Sequence, residues 1–253
     1  MQKNSGHEFM MKTRYELLSP TPQGEGKIPQ PALELPLPEG AQLITLPAHE
    51  QIKMPGVDLR TAVESRRTIR NYAATPLTLQ EVAYLLWMSQ GVKRVSSRPS
   101  TARTVPSAGA RHAFETYLLI NRVDGLEAGL YRYMAIEQAL VKLDASADIA
   151  EKLKLACLEQ PQLVNCAAAF IWVAVVERMF WRYVERGYRY LHLDAGHVCQ
   201  NLALAAEEIG AGICPIAAFN DEMLNNTLGL DGEEMFVVYL ATVGKKASGA
   251  AEG

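Results

Sequence analysis

The pattern of apolar and polar positions divides the chain into a proline-broken start and a mixed helix–strand remainder. Eight of the 13 prolines fall within residues 1–56 (Pro20, Pro22, Pro29, Pro31, Pro36, Pro38, Pro47 and Pro55). Each lacks a backbone donor and restricts its predecessor, so neither a helix nor a central strand is expected there. Residues 1–56 read as an extended arm lying over the domain or over a partner subunit. The domain proper spans 57–246, and 247–253 reads as a flexible tail. Asp58 to Arg66 has the spacing of a short helix with Leu59 and Val63 on one face. Thr78-Leu79-Gln80-Glu81 is a capping box, opening a helix that buries Val82, Leu85, Leu86 and Met88.

Phe114 to Ile120, Leu130 to Met134 and Ala139 to Leu143 read as strands, and Ala147 to Cys157 as a helix. Ala167 to Val176 is an unbroken apolar run ending at Glu177, as expected of a strand covered on both faces. Tyr190 to Ile209 repeats apolar residues at helical spacing, with Gly210 as its stop. Small residues there (Ala195, Gly196, Ala203, Ala205, Ala206) allow close packing. A short helix at Asp221 to Leu228 and a strand at Met235 to Val243 close the chain. Helices and strands mix without strict alternation, which fits an α+β layered domain.

Composition narrows the picture. With 253 residues, 49% hydrophobic and 21% charged, the chain is neither disordered, collagen-like nor a disulfide mini-protein. A net charge of −3 gives no global reason to expect nucleic acid. Cys157, Cys166, Cys199 and Cys214 form no CxxC pair and no metal rhythm with the five histidines. A reduced, cytoplasmic protein without a metal is expected. The start has no apolar core of a signal peptide, and the longest apolar run, Cys166 to Val176, falls short of the roughly 20 residues that span a bilayer. No membrane partner is expected.

No GxGxxG, GxxxxGK[ST], GxSxG or HExxH occurs. His197, beside Ala195 and Val198, reads as a hydrogen-bonded interior residue. Ser107 has no adjacent His or Asp, so a hydrolase is unsupported. Ser65-Arg66-Arg67-Thr68-Ile69-Arg70-Asn71-Tyr72 crowds three arginines and two aliphatic hydroxyls, suited to a phosphate or to a solvated helix end. Val105-Pro106-Ser107-Ala108-Gly109-Ala110-Arg111 and Gly212-Ile213-Cys214-Pro215-Ile216-Ala217-Ala218-Phe219 are small-residue stretches that let backbone approach a flat ligand. Lys245 and Lys246 follow the last strand.

In this order along the chain, these four features resemble the nitroreductase family of FMN enzymes, and more closely its SagB-type dehydrogenase branch. Gly6-His7-Glu8-Phe9, Leu86-Trp87 with Gln90-Gly91, Gly129-Leu130-Tyr131-Arg132-Tyr133, Arg186-Gly187-Tyr188-Arg189 and Asp194-Ala195-Gly196-His197 are similar to that branch. The resemblance implies an α+β nitroreductase-like fold with a mostly antiparallel central sheet flanked by helices. It also implies a domain-intertwined homodimer with FMN at the interface. Arg66, Arg67, Thr68 and Arg70 would hold the FMN phosphate and ring edge, with Lys245 or Lys246 adding charge. Pro106, Ser107, Ala108 and Gly109 would reach the flavin from the other subunit. Pro215, Ile216, Ala217 and Ala218 would lie against it. The flavin would carry hydride between a donor, NADH or NADPH, and a small-molecule or peptide substrate.

Two departures stand out. After Ser-Ala-Gly the branch runs Ala-Leu-Tyr-Pro, but here the residues are Ala110-Arg111-His112-Ala113. Where azoline-oxidising members carry Lys-Tyr, this chain has Arg182-Tyr183. Arg182 cannot serve as a base, whereas Tyr183 is placed either as an acid or as a hydrogen-bonded interior residue. A flavin-binding protein without turnover, or a non-catalytic subunit of a peptide-modifying complex, is the alternative.

Overall fold

The apolar run at residues 168–175 forms an inner strand of a seven-stranded sheet, and its neighbours explain why it is apolar throughout. The computed structural model describes residues 4–97 and 99–247. In chain order the elements are α1 (Ser5–Lys12), α2 (Pro22–Glu25), β1 (Leu43–Thr45), α3 (Leu59–Ser65), β2 (Leu77–Thr78) and α4 (Leu79–Gln90). There follow β3 (Val92–Val95), β4 (Thr101–Arg103), β5 (Phe114–Ile120), β6 (Val123–Asp124), β7 (Gly129–Met134) and β8 (Ala139–Asp144). Next come α5 (Ile149–Ala156), α6 (Gln162–Asn165), β9 (Ala168–Val175) and α7 (Val176–Tyr183). Last are α8 (Gly187–Glu208), β10 (Ala211–Ile216), α9 (Asp221–Thr227) and β11 (Met235–Lys245).

The sheet runs β1-β8-β7-β5-β9-β11-β10, every neighbouring pair antiparallel. Side chains alternate along a strand, so β9 feeds two cores. Phe170, Trp172 and Ala174 join Leu85, Leu86 and Leu202 under α4 and α8. Ala169, Ile171 and Val173 join Leu153, Leu163 and Leu224 under α5, α6 and α9. Burying each large side chain in these layers contributes roughly 1.5–3 kcal/mol. The antiparallel sheet between helical layers is the architecture that the resemblance implies. The capping box of α4 forms as read: Glu81 N donates to Thr78 Oγ1 at 3.2 Å, and Thr78 N to Glu81 Oε2 at 2.9 Å.

Residues 4–56 differ from the extended arm read from the prolines. Helix α1 forms with Asn4 as its cap. The first proline is Pro20, so nothing in residues 4–13 opposes a helix. The one-turn α2 begins with Pro22 at a position where no amide donor is needed, and Thr21 caps it. Strand β1 adds to the sheet at the β8 edge, where flanking prolines are tolerated. The arm lies on its own domain. Arg178 Nε donates to Ala32 O at 2.8 Å, Leu35 N to Glu115 Oε1 at 2.9 Å, and Arg186 to Thr13 O at 2.9 Å.

Other differences are local. Leu59 and Val63 do share one face of α3, but that face is open, and only Ala62 is buried. His197 is exposed on α8 rather than interior, because the helical period turns it away from Ala195 and Val198. The small-residue stretch from Gly212 lies in strand β10 as far as Ile216. Ala247 follows the last bridge, and the rest of the expected tail, 248–253, lies outside the described residues. No helix among the described residues is long and apolar enough to cross a membrane.

Candidate functional site

The arginine segment lies along the last two strands of the sheet. Thr68 bridges Ile213, with Ile69 N donating to Ile213 O at 2.8 Å, and Ala73 N donates to Lys245 O at 2.9 Å. Gly212 and Gly244 face each other across β10 and β11. A Cβ on Gly244 would meet the Tyr72 ring at 2.7 Å, and one on Gly212 would overlap Ile69. The close seating explains both glycines. Tyr72 is pinned further by its hydroxyl, 2.7 Å from Thr242 Oγ1.

This seating turns Arg66, Arg67 and Arg70 outward. Among the described residues their guanidinium groups make no hydrogen bond and no ion pair. A cavity of about 280 Å³ opens beside Arg70, Tyr72 and Arg122. The two terminal lysines are engaged differently. Lys246 pairs with Glu207 at 2.6 Å, and the same carboxylate accepts from Ser65 Oγ at 3.0 Å, so Lys246 stands next to the arginine segment. Lys245 is held by Glu81 at the start of α4 and donates to Ile209 O at 2.6 Å. Pro215 and Ile216 end β10, with Ala217 and Ala218 exposed just beyond. The arginine segment thus meets β10 at Ile213, two residues before Pro215.

The loop at 106–112 is built elsewhere. Gly109, Ala110 and His112 all have positive φ (57°, 53° and 44°), which only Gly109 adopts without strain. Two side chains hold this turn: His112 N donates to Ser107 Oγ at 2.9 Å, and Ala108 N donates to Asp194 Oδ1 at 3.2 Å. Asp194 is buried, which raises its carboxyl pKa, and its Oδ2 has no hydrogen-bond partner. Burial and the charges of Arg103 and Arg111 push His112 down to about 3, so it is neutral at working pH. A Cβ on Gly109 would overlap the Tyr183 hydroxyl and stand 2.7 Å from Arg182 Nε.

Arg182 and Tyr183 thus sit against the loop. Arg182 Nε is 3.2 Å from the Tyr183 oxygen, and its terminal nitrogen donates to Gln23 Oε1 of α2 at 3.2 Å. Arg111 donates to Gly109 O at 3.2 Å and lies over the Trp181 ring at 5.3 Å. Burial and the neighbouring Arg182 lower the Arg111 pKa.

Within one chain the two groups of residues do not meet. Asp194 marks the loop and Glu207 marks the arginine segment; they are thirteen positions apart on α8, about 20 Å at helical rise. The anchoring role of Asp194 is invisible in local sequence, since Ala108 is 86 residues away. Its signal is an acidic residue on the buried face of an amphipathic helix. Gln23 and Trp181 carried no such signal. Among the described residues, no group of three or more His, Cys, Asp or Glu could hold a metal ion.

Comparison with known proteins shows the family. The nitroreductase family model matches residues 63–245. MJ1384 of Methanocaldococcus jannaschii, named as a nitroreductase, is 33% identical over 203 residues, covering 80% of this chain and 96% of that protein. The chain belongs to the nitroreductase family.

Its relatives include two peptide-processing proteins. The trifolitoxin-processing protein TfxB of Rhizobium leguminosarum bv. trifolii is 31% identical over 51% of this chain and 36% of its own length. The microcin B17-processing protein McbC of Escherichia coli is 27% identical over 52% of this chain and 50% of its own. The chain thus spans half or less of these two. Among solved structures, a Ralstonia eutropha nitroreductase has a TM-score of 0.67 at 23% identity, covering 87% of this chain and 95% of that one. The E. coli microcin synthetase McbBCD complex with truncated pro-MccB17 gives 0.60 at 19%, covering 97% and 98%. A Desulfovibrio desulfuricans nitroreductase-type protein solved with FMN gives 0.56 at 14%, covering 78% and 91%.

Proposed function

We propose that this protein is an FMN-dependent oxidoreductase working as a homodimer, with NADH or NADPH as donor and a small or peptide-derived acceptor. The observation that carries the reading is the set of three unpaired guanidinium groups at Arg66, Arg67 and Arg70, beside a strand end made of Pro215, Ile216, Ala217 and Ala218. Three cations without a carboxylate suit a phosphate, and a small-residue strand end suits a flat ring. These residues fit FMN. When bound, the flavin would supply hydride transfer, so no protein nucleophile is needed.

The chain's own residues would bind and orient. Arg66, Arg67, Thr68 and Arg70 would hold the phosphate, with Lys246 adding charge through its place beside Ser65. Lys245, engaged by Glu81, would act as a brace for α4. Pro106, Ser107, Ala108 and Gly109 would complete the site from the other subunit, since about 20 Å of α8 separates the two groups in one chain. Leu59, Val63 and Leu193, left exposed here, would supply apolar contact between subunits. Tyr183 would hold a proton at its hydroxyl, and Arg182 would orient it without exchanging one.

The test is the flavin absorption of the purified protein, followed by that of an Arg66→Ala, Arg70→Ala double variant. Each lost charge-assisted contact is worth about 1.5–3 kcal/mol, so the variant should purify colourless. A fully yellow double variant overturns the assignment. Steady-state NAD(P)H oxidation with a nitroaromatic or quinone tests turnover.

A second reading is a subunit within a peptide-modifying complex. The exposed Phe9, Met10, Tyr15 and Leu17 of the arm favour it, offering an apolar surface to a partner. Co-purification with a cyclodehydratase-like protein, without turnover on its own, would support it.

A further inference from the structure

Arg111 and Arg182 meet at the Gly109 turn, where Arg111 donates to Gly109 O at 3.2 Å and a Cβ on Gly109 would stand 2.7 Å from Arg182 Nε, yet neither is paired with an Asp or Glu among the described residues. Arg111 is 8% exposed, so its charge is largely removed from water. Its partners are the Gly109 carbonyl and the face of Trp181, and its terminal nitrogens make no hydrogen bond to the described residues. Other buried arginines each have a terminal nitrogen satisfied by an oxygen: Arg178 by Glu115 at 2.6 Å, Arg132 by the Pro36 carbonyl at 2.6 Å and Arg103 by Gln90 Oε1 at 3.2 Å. Holding two like charges together at a half-buried site costs stability unless an anion completes it.

What covers the site is also informative. Helix α2 places the Gln23 side-chain oxygen 3.2 Å from a terminal nitrogen of Arg182. That is a neutral acceptor in a place where an anionic oxygen would bind more strongly, and it sits on an exposed residue of the arm. The Tyr183 hydroxyl and the Gly109 turn adjoin the same two guanidinium groups.

We infer that Arg111 and Arg182 form a docking point for a carboxylate carried by the acceptor substrate, with Gln23 as the neutral placeholder that it displaces. This inference rests on the proposed oxidoreductase reading for the word acceptor, but not for the binding itself. A planar carboxylate matches the fork of a guanidinium, and Arg111 stays charged despite its surroundings. The site selects acceptors with an acid group near the reducible one.

Benzoate, with benzamide as its neutral counterpart, is the probe, titrated calorimetrically into the purified protein with whatever cofactor it carries. Benzoate should bind about tenfold or more tightly than benzamide, the size expected of a charge-assisted contact. Arg111→Gln and Arg182→Gln should each remove that preference. Gln23→Glu, on an exposed position that does not threaten folding, should supply its own carboxylate and suppress benzoate binding. Equal binding of benzoate and benzamide, or an unaltered preference in Gln23→Glu, overturns the inference.

Turnover separates the source of the anion. KM for para-nitrobenzoate should rise about tenfold in Arg111→Gln, with little change for para-nitrobenzyl alcohol. If KM for NADPH rises instead, while NADH and benzoate are unaffected, the site belongs to the donor's phosphate and the acceptor assignment falls. Absence of any turnover, with the benzoate preference intact, would remove the oxidoreductase reading and leave the anion site standing.

Discussion

The backbone N–H of Ala108 donates to the buried carboxylate of Asp194 at 3.2 Å, and this one bond ties the loop at 106–112 to the middle of α8. The other carboxylate oxygen is buried without a partner. Replacing Asp194 by Ala removes the acceptor and should cost about 1–3 kcal/mol in urea unfolding. Asp194→Asn keeps an acceptor and no longer buries a charge, so it should be close to neutral. A larger loss for Asn than for Ala would mean that the charge itself is needed.

Gly109 should tolerate no side chain. Its φ of 57° already disfavours a Cβ, and the Cβ would overlap the Tyr183 hydroxyl. Gly109→Ala is expected to destabilise by about 1–2 kcal/mol from the backbone alone, with more from the overlap. Tyr183→Phe removes the overlapped oxygen. Thermal unfolding of the double variant should therefore recover part of the loss, and strict additivity would disprove the contact.

Much of the fold was legible because local and tertiary preferences agree at those positions. The Thr78–Glu81 box, the buried strand at 168–175 and the helical repeat ending at Gly210 all declare themselves locally. Helix α7 did not, because it starts at the residue after β9 and the charge at Glu177 reads as a strand end. Strand β10 was hidden by Pro215, which an inner strand would refuse but an edge strand accepts. The candidate site was legible as separate pieces. The arginine segment, the 106–109 loop and residues 215–218 are each recognisable from residue type and order. The Asp194 anchor and the Gln23 cover are not, because both are long-range contacts of single polar residues.

The arm should come loose when its buried ion pair is broken. Glu115 and Arg178, 2.6 Å apart, hold Leu35 and Ala32 through one hydrogen bond each. Glu115→Ala leaves a buried guanidinium uncompensated, a loss of about 3–5 kcal/mol. Limited proteolysis should then cut within residues 28–40 well before the sheet is attacked. Unchanged arm resistance at reduced global stability would show that other contacts hold it.

The contribution of Glu34 to stability should fall as pH rises from about 4.5 toward 8. Burial, together with Glu137 and Glu115 nearby, raises its carboxyl pKa to about 8. Between its unfolded and folded values the native state holds a proton that the unfolded chain has lost, so raising pH favours unfolding. Below about 4.5 the contribution is fully present, and above about 8 it is gone. Glu34→Gln keeps an oxygen for the amides of Ala135 and Ile136 and cannot ionise. Melting curves should show a flatter pH dependence for the variant, with its gain over wild type largest at alkaline pH. His112 acts the other way below about 6.5: it stays neutral in the fold down to about 3, whereas an exposed imidazole takes up a proton below about 6.5, so its contribution rises with pH between those values and opposes that of Glu34 there.

The last expectation concerns chemistry at Arg182. Azoline oxidation requires a group that takes a proton from the substrate ring, and the resemblance sets a lysine beside the tyrosine in members that do it. A lysine loses its proton when desolvated, whereas an arginine at the same place stays charged at any working pH. Here Arg182 is directed at the Tyr183 oxygen and at Gln23, contacts that use it as a donor. Reduction of a nitroaromatic or quinone needs no such base, since the acceptor gains protons that Tyr183 or water can give. The wild-type protein should therefore reduce nitroaromatics or quinones and oxidise an azoline peptide slowly or not at all. Arg182→Lys should raise azoline oxidation while leaving flavin content unchanged, a control that separates chemistry from cofactor loss. Efficient azoline oxidation by wild type, with no gain in Arg182→Lys, would show that another group takes the proton.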